Sequence, residues 1–171
     1  GLAFTAVAAE RGHKVTLFEQ ASQIGGQFNL AKVIPGKEVY QHTLNYFNYQ
    51  LQKFQVDVRL NTCATVDILQ EFDEVVLATG IKPRTPNIVG IDNPKVLSYI
   101  DVLTGKKSVG ARVAIIGAGG IGFDVAEFLT AEPYFSREDF YDEWGIDIHG
   151  ECRGGIKTPI QPVTTREVYL L

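Results

Sequence analysis

The sequence predicts an α/β fold built from two Rossmann-like dinucleotide-binding units, both incomplete. One observation is the order of helix, glycine, strand and acid in "GLAFTAVAAERGHKVTLFE", residues 1–19. The other is a β-branched run followed by G-x-G-x-x-G at residues 117–122. Together they predict a partial first unit with a connector in residues 1–105 and a partial second unit in residues 106–171.

The first unit opens with a predicted helix. Apolar residues recur with helical spacing in residues 2–8, Gly12 is placed to end the helix, and residues 14–18 follow as a strand. Glu19 closes that strand, where an acid hydrogen-bonds the ribose of a dinucleotide. Gly1 then fits the third glycine of a fingerprint that begins before this chain, or it is a terminal residue unrelated to the fold. The same order also arises in α/β proteins that bind no nucleotide.

Between Glu19 and the fingerprint the chain alternates predicted loops, helices and strands. The loop 20–38 contains Gly25-Gly26 and precedes a helix whose apolar residues recur every three or four positions. A buried strand further on stops at Thr79-Gly80. The predicted elements are a helix at 39–54, strands at 56–60, around 63–66 and at 74–78, and a short helix near 99–103.

The fingerprint in the second unit has the context that a dinucleotide site requires. A strand is predicted at residues 113–116, directly before Gly117, and a helix follows. Gly117 makes the tight turn, Gly119 lets the backbone approach a pyrophosphate, and Gly122 lets helix and strand pack closely. Gly120 is a further candidate binding residue of this nucleotide site. The alternative is a glycine-rich turn that serves packing alone.

Residues 132–165 are predicted to be an insertion, because they are rich in aromatic residues, glycine and proline. A strand pattern resumes at residues 166–171. The acidic or basic residue that would distinguish NADH from NADPH is expected after that strand. The residues themselves therefore leave the choice of nicotinamide open.

Composition excludes several classes of function. With 16 basic and 20 acidic residues the net charge is −4, so nothing indicates nucleic acid or an anionic membrane as a partner. No run of about 18 apolar residues and no signal-peptide pattern occurs, so we expect a cytoplasmic protein. Cys63 and Cys152 are the only cysteines, and we expect neither an iron–sulfur cluster nor another metal site in this chain.

The order of two nucleotide units with an A-T-G strand end between them resembles the flavoprotein disulfide reductase-like family. In that family an FAD domain is interrupted by an NAD(P)H domain, and both the A-T-G and the double glycine lie near the FAD. The resemblance assigns FAD to the first unit and NAD(P)H to the fingerprint of the second. The residues it implies for FAD are Gly1, Glu19, Gly25, Gly26, Gln27, Thr79 and Gly80.

Longer stretches resemble the family of bacterial NADPH-dependent 2,4-dienoyl-CoA reductases. These are "EQASQIGGQFNLAKVIPGKE", "FDEVVLATGIKPRTPNIVGIDNPKVLSYIDVL", "GARVAIIGAGGIGFDVAEFL" and "EWGID". The resemblance implies a preceding barrel with FMN and the 2,4-dienoyl-CoA site, then a segment holding a [4Fe-4S] cluster. We therefore expect a strand ending in G-x-G-x-x before Gly1, the barrel before that, and electron entry rather than substrate chemistry in this chain.

No residue of this chain is a candidate general acid or base. His13, His42 and His149 have no aligned Ser, Cys or carboxylate partner in the sequence. Two alternatives stay open. One is a trimethylamine dehydrogenase-like or enoate reductase-like flavoprotein of the same architecture, and the other is a non-enzymatic nucleotide-binding module.

Overall fold

The computed structural model of the protein describes residues 1–131, 136–160 and 164–171. The chain forms two compact units, Gly1–Leu97 and Ser98–Leu171, where the sequence placed the division after residue 105. Each unit contains one pair of parallel strands together with helices. The predicted α/β class is confirmed.

The first unit has four helices and two strands among the described residues. Strands β1 and β2 pair in parallel, with Leu17 opposite Val58. The chain between these strands carries two of the helices. In order, the elements are α1 Leu2–Glu10, β1 Thr16–Phe18, α2 Phe28–Ala31, α3 Tyr40–Lys53, β2 Asp57–Arg59 and α4 Val66–Leu69.

Helix α1 ends as predicted, but the side chains that it buries are small ones, and two of its large apolar side chains are exposed. Gly12 follows the helix with φ of 91°, a left-handed conformation that a glycine adopts without strain. The buried side chains are Thr5 and Ala6, whereas Phe4 and Val7 are about half exposed. Small side chains allow a neighbouring element to approach closely, and α1 packs against α3.

Helix α3 supplies much of the core of the first unit. Leu44 and Leu51 lie seven residues apart, on one face of the helix, and both are buried. Ile24 and Ile34, from the loop between β1 and α3, are buried as well. The helical periodicity predicted this element to within one residue at each end.

Two predicted strands of the first unit are absent from the structure. Residues 62–65 have no regular structure, and Thr65, in an extended conformation, begins α4 instead of lying in a strand. Residues 74–78 belong to no strand, and Val75 and Leu77 are 43% and 79% exposed. A strand needs a neighbour that accepts and donates its backbone hydrogen bonds, and the described residues provide none for this segment.

The second unit contains the other strand pair. Strands β3 and β4 pair in parallel from Arg112 opposite Glu167 to Ile115 opposite Leu170. Both strands and the short helix at residues 99–103 lie where the sequence predicted them. The elements are α5 Tyr99–Leu103, β3 Arg112–Ile115, α6 Gly120–Thr130, α7 Arg137–Glu143, a 3₁₀ turn Arg153–Gly155 and β4 Glu167–Leu170.

Helices α5 and α6 form the core of this unit. Ser98 caps α5 by accepting a hydrogen bond from the backbone N–H of Asp101. Val102 and Leu103 of α5 are buried, as are Val125 and Leu129 of α6. Because α5 packs on α6, the short helix belongs to the second unit.

The predicted insertion contains a small folded lobe, residues 136–160, while residues 132–135 and 161–163 lie outside the described part of the chain. Ser136 and Asp139 form a reciprocal capping box at the start of α7, and the backbone N–H of Ser136 is the main cause that lowers the pKa of Asp139. Ile146 and Ile156 form an antiparallel bridge. The lobe thus has local structure of its own.

Two further contacts hold the lobe together. Asp147 accepts hydrogen bonds from the backbone N–H groups of His149 and Cys152, and the bond from Cys152 is the main cause that lowers the pKa of this carboxyl. Lys157 forms an ion pair with Asp142, which raises the pKa of the lysine. The bonds to Asp147 close a loop in the chain after α7, and the ion pair ties that chain back onto α7.

In the described ranges 1–131, 136–160 and 164–171, no helix has both the length and the apolar character to cross a bilayer.

Candidate functional site

The predicted fingerprint forms a tight turn between β3 and α6. Gly117 has φ of 121°, in the region that a side chain would strain, and its N–H donates to the carbonyl of Leu171. That hydrogen bond links the turn to the carboxyl end of β4. The predicted role of Gly117 as the turn residue is therefore supported by its backbone conformation.

Gly122 packs directly against the turn. A Cβ atom at this position would lie 1.9 Å from the carbonyl oxygen of Gly117 and 3.3 Å from Cδ1 of Leu170. Real Cβ atoms do not approach a backbone oxygen so closely, so only glycine fits without a shift of the helix or the turn. Gly122, the third glycine of the fingerprint, thus allows α6 to start in close contact with the turn that follows β3.

The amino end of α6 is open at two glycines. Gly119 is the N-cap residue and, among the described residues, no side chain caps this end. A Cβ at Gly119 or Gly120 would meet no atom within 4 Å. Helix N-termini present N–H groups and a partial positive charge, so this end is suited to an anionic group such as a phosphate.

The first unit also has a helix that starts at a glycine. Gly1 is the N-cap residue of α1, again without a side-chain cap. A Cβ on Gly1 would lie 3.7 Å from Cβ of Ala78, so the start of α1 lies beside the segment that continues into Thr79 and Gly80. Gly80 has φ of 74°. The structure thus brings Gly1 and the A-T-G segment together, although the sequence separates them by more than 70 positions.

Glu19 lies directly after β1 and is held on two sides. Its N–H donates to the carbonyl of Arg59, which extends the pairing with β2. Oε1 of its carboxylate accepts a hydrogen bond of 2.8 Å from the N–H of Ala21. This bond orients the carboxylate and leaves its second oxygen as an acceptor for a further donor.

The double glycine lies at the start of α2 and beside α3. Gly25 has φ of 120°, and a Cβ there would lie 2.6 Å from Cδ2 of Leu44 and 2.8 Å from Nδ2 of Asn29. Gly26 has φ of 50°, and a Cβ there would meet no atom within 4 Å. Gln27 is the N-cap residue of α2. Glycine at position 25 is therefore required by its backbone conformation, whereas Gly26 and Gln27 begin a helix on the surface.

A cavity that sequence reasoning missed lies in the first unit between α3, β2 and the loop before α2. Its volume is about 460 Å³. Its apolar wall includes Ile24, Leu44 and Leu51, and the rest consists largely of amide side chains, which donate and accept hydrogen bonds. The available signal was the spacing of Gln41, Asn48 and Gln52, which places three amides on one side of α3.

Among the described residues, the titratable side chains offer few candidates for metal binding or proton transfer. Within the described ranges no three His, Cys, Asp or Glu side chains lie close enough to hold a metal ion. The carboxyl groups with lowered pKa, Asp139 and Asp147, bond to backbone N–H groups of their own lobe. The arrangement is suited to binding anions and sugar hydroxyls, rather than to proton transfer.

Comparison with known proteins supports a dinucleotide-binding fold. A family model described as pyridine nucleotide-disulphide oxidoreductase matches residues 1–132. The chain is 38% identical over 144 residues to a metal reductase of Desulforamulus reducens and 40% identical over 134 residues to a cinnamate reductase of Clostridium sporogenes. These matches cover 81% and 77% of this chain, but 22% and 20% of the relatives.

A solved structure is also similar. It is a complex of 2-naphthoyl-CoA reductase with 2-naphthoyl-CoA, which matches 74% of this chain with a TM-score of 0.71 and 37% sequence identity. The match covers 20% of that reductase. The chain therefore spans about a fifth of the length of the relatives it matches, and its fold is an α/β dinucleotide-binding fold.

The packing at the fingerprint predicts different costs for two neighbouring glycines. Gly122→Ala should destabilise the second unit by about 2–4 kcal/mol, because the new Cβ collides with the carbonyl of Gly117. Gly120→Ala, where the space is open, should change stability by no more than about 1 kcal/mol. Urea denaturation followed by circular dichroism measures both. Equal effects of the two variants would contradict the packing role of Gly122.

Proposed function

Because the chain belongs to the pyridine nucleotide-disulphide oxidoreductase family, we propose that it binds FAD in its first unit and NADPH in its second. Its role is to pass electrons from NADPH into a larger flavin-dependent oxidoreductase. The observation that carries this proposal is the pair of helices, α1 and α6, each of which starts at an uncapped glycine. Two anion-binding helix ends in one chain fit two dinucleotides.

The second unit supplies the proposed NADPH site. The N–H groups at the amino end of α6 would bind the pyrophosphate, and Gly119 and Gly120 leave the approach clear. Gly117 and Gly122 hold the turn and the helix in place, as their geometry supports. The resemblance to NADPH-dependent reductases favours NADPH over NADH.

The first unit supplies the proposed FAD site. The amino end of α1 at Gly1 would bind the FAD pyrophosphate, with Thr79 and Gly80 beside it. The free oxygen of the Glu19 carboxylate would accept a hydrogen bond from the ribose, while the N–H of Ala21 fixes its orientation. Gly26 and Gln27 would line the same cofactor. Gly25 fits a supporting role, because it is packed against Leu44 and Asn29.

When bound, NADPH supplies a hydride and FAD accepts it, which makes single-electron transfer to further redox groups possible. We propose that these further groups are a [4Fe-4S] cluster and FMN held outside this chain, since the chain has only Cys63 and Cys152. The residues of this chain bind and orient the two nucleotides. None of them is assigned to proton transfer.

For the whole protein we propose reduction of a conjugated acyl thioester, specifically a 2,4-dienoyl-CoA. The name of one relative, a 2-naphthoyl-CoA reductase in complex with 2-naphthoyl-CoA, supports an acyl-CoA substrate. The name of another, a cinnamate reductase, supports a conjugated substrate, but as the free acid. The sequence stretches that resemble 2,4-dienoyl-CoA reductases support the narrower assignment. The acyl-CoA would bind outside this chain, on the proposed barrel.

Removal of the Glu19 carboxylate should weaken FAD binding. In the flavin-loaded holoprotein, Glu19→Ala should reduce FAD affinity about 10- to 150-fold, because a charge-assisted hydrogen bond contributes roughly 1.5–3 kcal/mol. The FAD retained after dialysis, measured by chromatography of the released flavin, tests this. Glu10→Ala, at an exposed site on α1, is the matched control and should retain FAD fully. Full retention by Glu19→Ala as well would refute the assignment.

A side chain at Gly119 should block electron entry selectively. Gly119→Val should slow flavin reduction by NADPH and leave reduction by dithionite unchanged, because the new side chain occupies the proposed path of the pyrophosphate. Stopped-flow absorbance of the flavin measures both reactions. Gly110→Val, which also enters open space, is the control and should behave like the parent protein. Equal slowing by both reductants would instead indicate a structural role for Gly119.

The proposed substrate class is tested on the holoprotein with NADPH. We expect kcat/KM for a 2,4-dienoyl-CoA to exceed that for the corresponding free acid by at least about tenfold, or ~1.4 kcal/mol, because the CoA moiety adds binding energy. NADPH consumption and product analysis provide the measurement. Flavin reduction by a secondary or tertiary amine, with no turnover of the acyl-CoA, would favour the amine dehydrogenase-like alternative and overturn the acyl-CoA proposal.

A further inference from the structure

The pairing of β1 with β2 continues past the ends of both strands, but its register changes there. The N–H of Glu19 donates to the carbonyl of Arg59, as the register within the strands requires. In a regular parallel ladder, a residue that donates to residue 59 accepts a hydrogen bond from residue 61. The carbonyl of Glu19 instead accepts a bond of 3.0 Å from the N–H of Thr62. The chain after β2 therefore carries one extra residue, as in a β-bulge.

Asn61 is this extra residue, and its backbone is left-handed. Its φ is 53°, a conformation that asparagine and glycine adopt more readily than other residues. Its N–H, which a regular ladder would direct to Glu19, donates to the carbonyl of Ala21 over 2.9 Å. Because Asn61 is exposed, this position demands a backbone conformation rather than a packed side chain.

These hydrogen bonds hold the turn that orients the Glu19 carboxylate. The N–H of Ala21 donates to Oε1 of that carboxylate over 2.8 Å. The carbonyl of Ala21 is held by Asn61, and the carbonyl of Glu19 is held by Thr62. A glutamate side chain has several rotamers, so its direction depends on the position of the N–H that binds it. Two consecutive N–H groups after β2 thus fix both ends of the turn that places this N–H.

We propose that Asn61 is a positioning residue for the ribose of FAD, and that it acts through Ala21 on the Glu19 carboxylate. Its left-handed backbone directs one N–H to Ala21 and leaves the next one for the carbonyl of Glu19. An extra residue of this kind often lies beside a functional site, where it redirects a side chain. The inference rests on the proposed FAD site and adds to it a residue whose contribution is conformational.

A matched pair of substitutions separates positioning from general strain. Among the described residues, Gln55 and Asn61 are the two non-glycine residues with positive φ, 52° and 53°. Both are exposed, but Gln55 precedes β2 and Asn61 follows it. Valine at either position strains the backbone of the same unit in the same way.

The two valine variants should therefore differ in FAD binding. In the flavin-loaded holoprotein, Asn61→Val should lower FAD affinity about 3- to 30-fold, because the carboxylate remains but is held less well. Gln55→Val should retain FAD like the parent protein. The FAD released on dilution, followed by flavin fluorescence, gives the affinity of each variant, and urea denaturation gives its stability. If Asn61→Val does not fold, Asn61→Ala and Gln55→Ala, which strain the backbone less, provide the same comparison.

Two further variants show whether the effect passes through the Glu19 carboxylate. Asn61→Gly should recover most of the affinity that Asn61→Val loses, because glycine adopts a left-handed backbone without strain. In a Glu19→Ala background, Asn61→Val should reduce FAD affinity no further, since no carboxylate is left to orient.

Each contrary result overturns the positioning role. Equal loss of FAD by Asn61→Val and Gln55→Val would show a general effect of strain. A further loss in the Glu19→Ala background would show that Asn61 does not act on the carboxylate. No recovery by Asn61→Gly would assign the effect to the asparagine side chain. If Glu19→Ala loses FAD and Asn61→Val does not, only the positioning role fails, whereas full retention by Glu19→Ala refutes the proposed FAD site as well.

Discussion

In each unit two parallel strands lie side by side, and parallel neighbours can be joined only by a chain that crosses from one end of the sheet to the other. This crossover fixes where helices begin and where loops collect. In the second unit it starts α6 at the carboxyl end of β3, where the fingerprint is. In the first unit it leaves Glu19 at the end of β1, with its N–H on the carbonyl of Arg59 at the end of β2. The direction of the strands therefore determines where the candidate binding residues lie.

The glycines of the two sites divide into two physical classes. Gly122 is required by packing, because a Cβ there would collide with the backbone of Gly117, and Gly25 is required by its positive φ. Gly26, Gly119 and Gly120 have open space where a side chain would be. Glycine at the second class of position leaves backbone N–H groups accessible, which is the property that phosphate binding needs. Glycine is thus needed at some positions for the fold and at others to keep backbone N–H groups accessible.

The crossover of the second unit contains both the glycine turn and the lobe. The glycine turn lies at the carboxyl end of the strands, while the lobe lies between the end of α6 and the start of β4. Hydrogen bonds within the lobe, such as those from His149 and Cys152 to Asp147, are local to it.

The sequence by itself determined the features that depend on local hydrogen bonding. Helix α3, the short helix α5 and the strand–glycine–helix order around Gly117 were predicted close to their observed positions, because periodicity, caps and turn residues act within a few positions. The tertiary structure decided what depends on distant partners. Residues 74–78 have the composition of a strand but no pairing neighbour among the described residues, and Ala78 instead lies beside Gly1. The cause is that a strand is stabilised by residues remote in sequence, whereas a helix satisfies its own backbone.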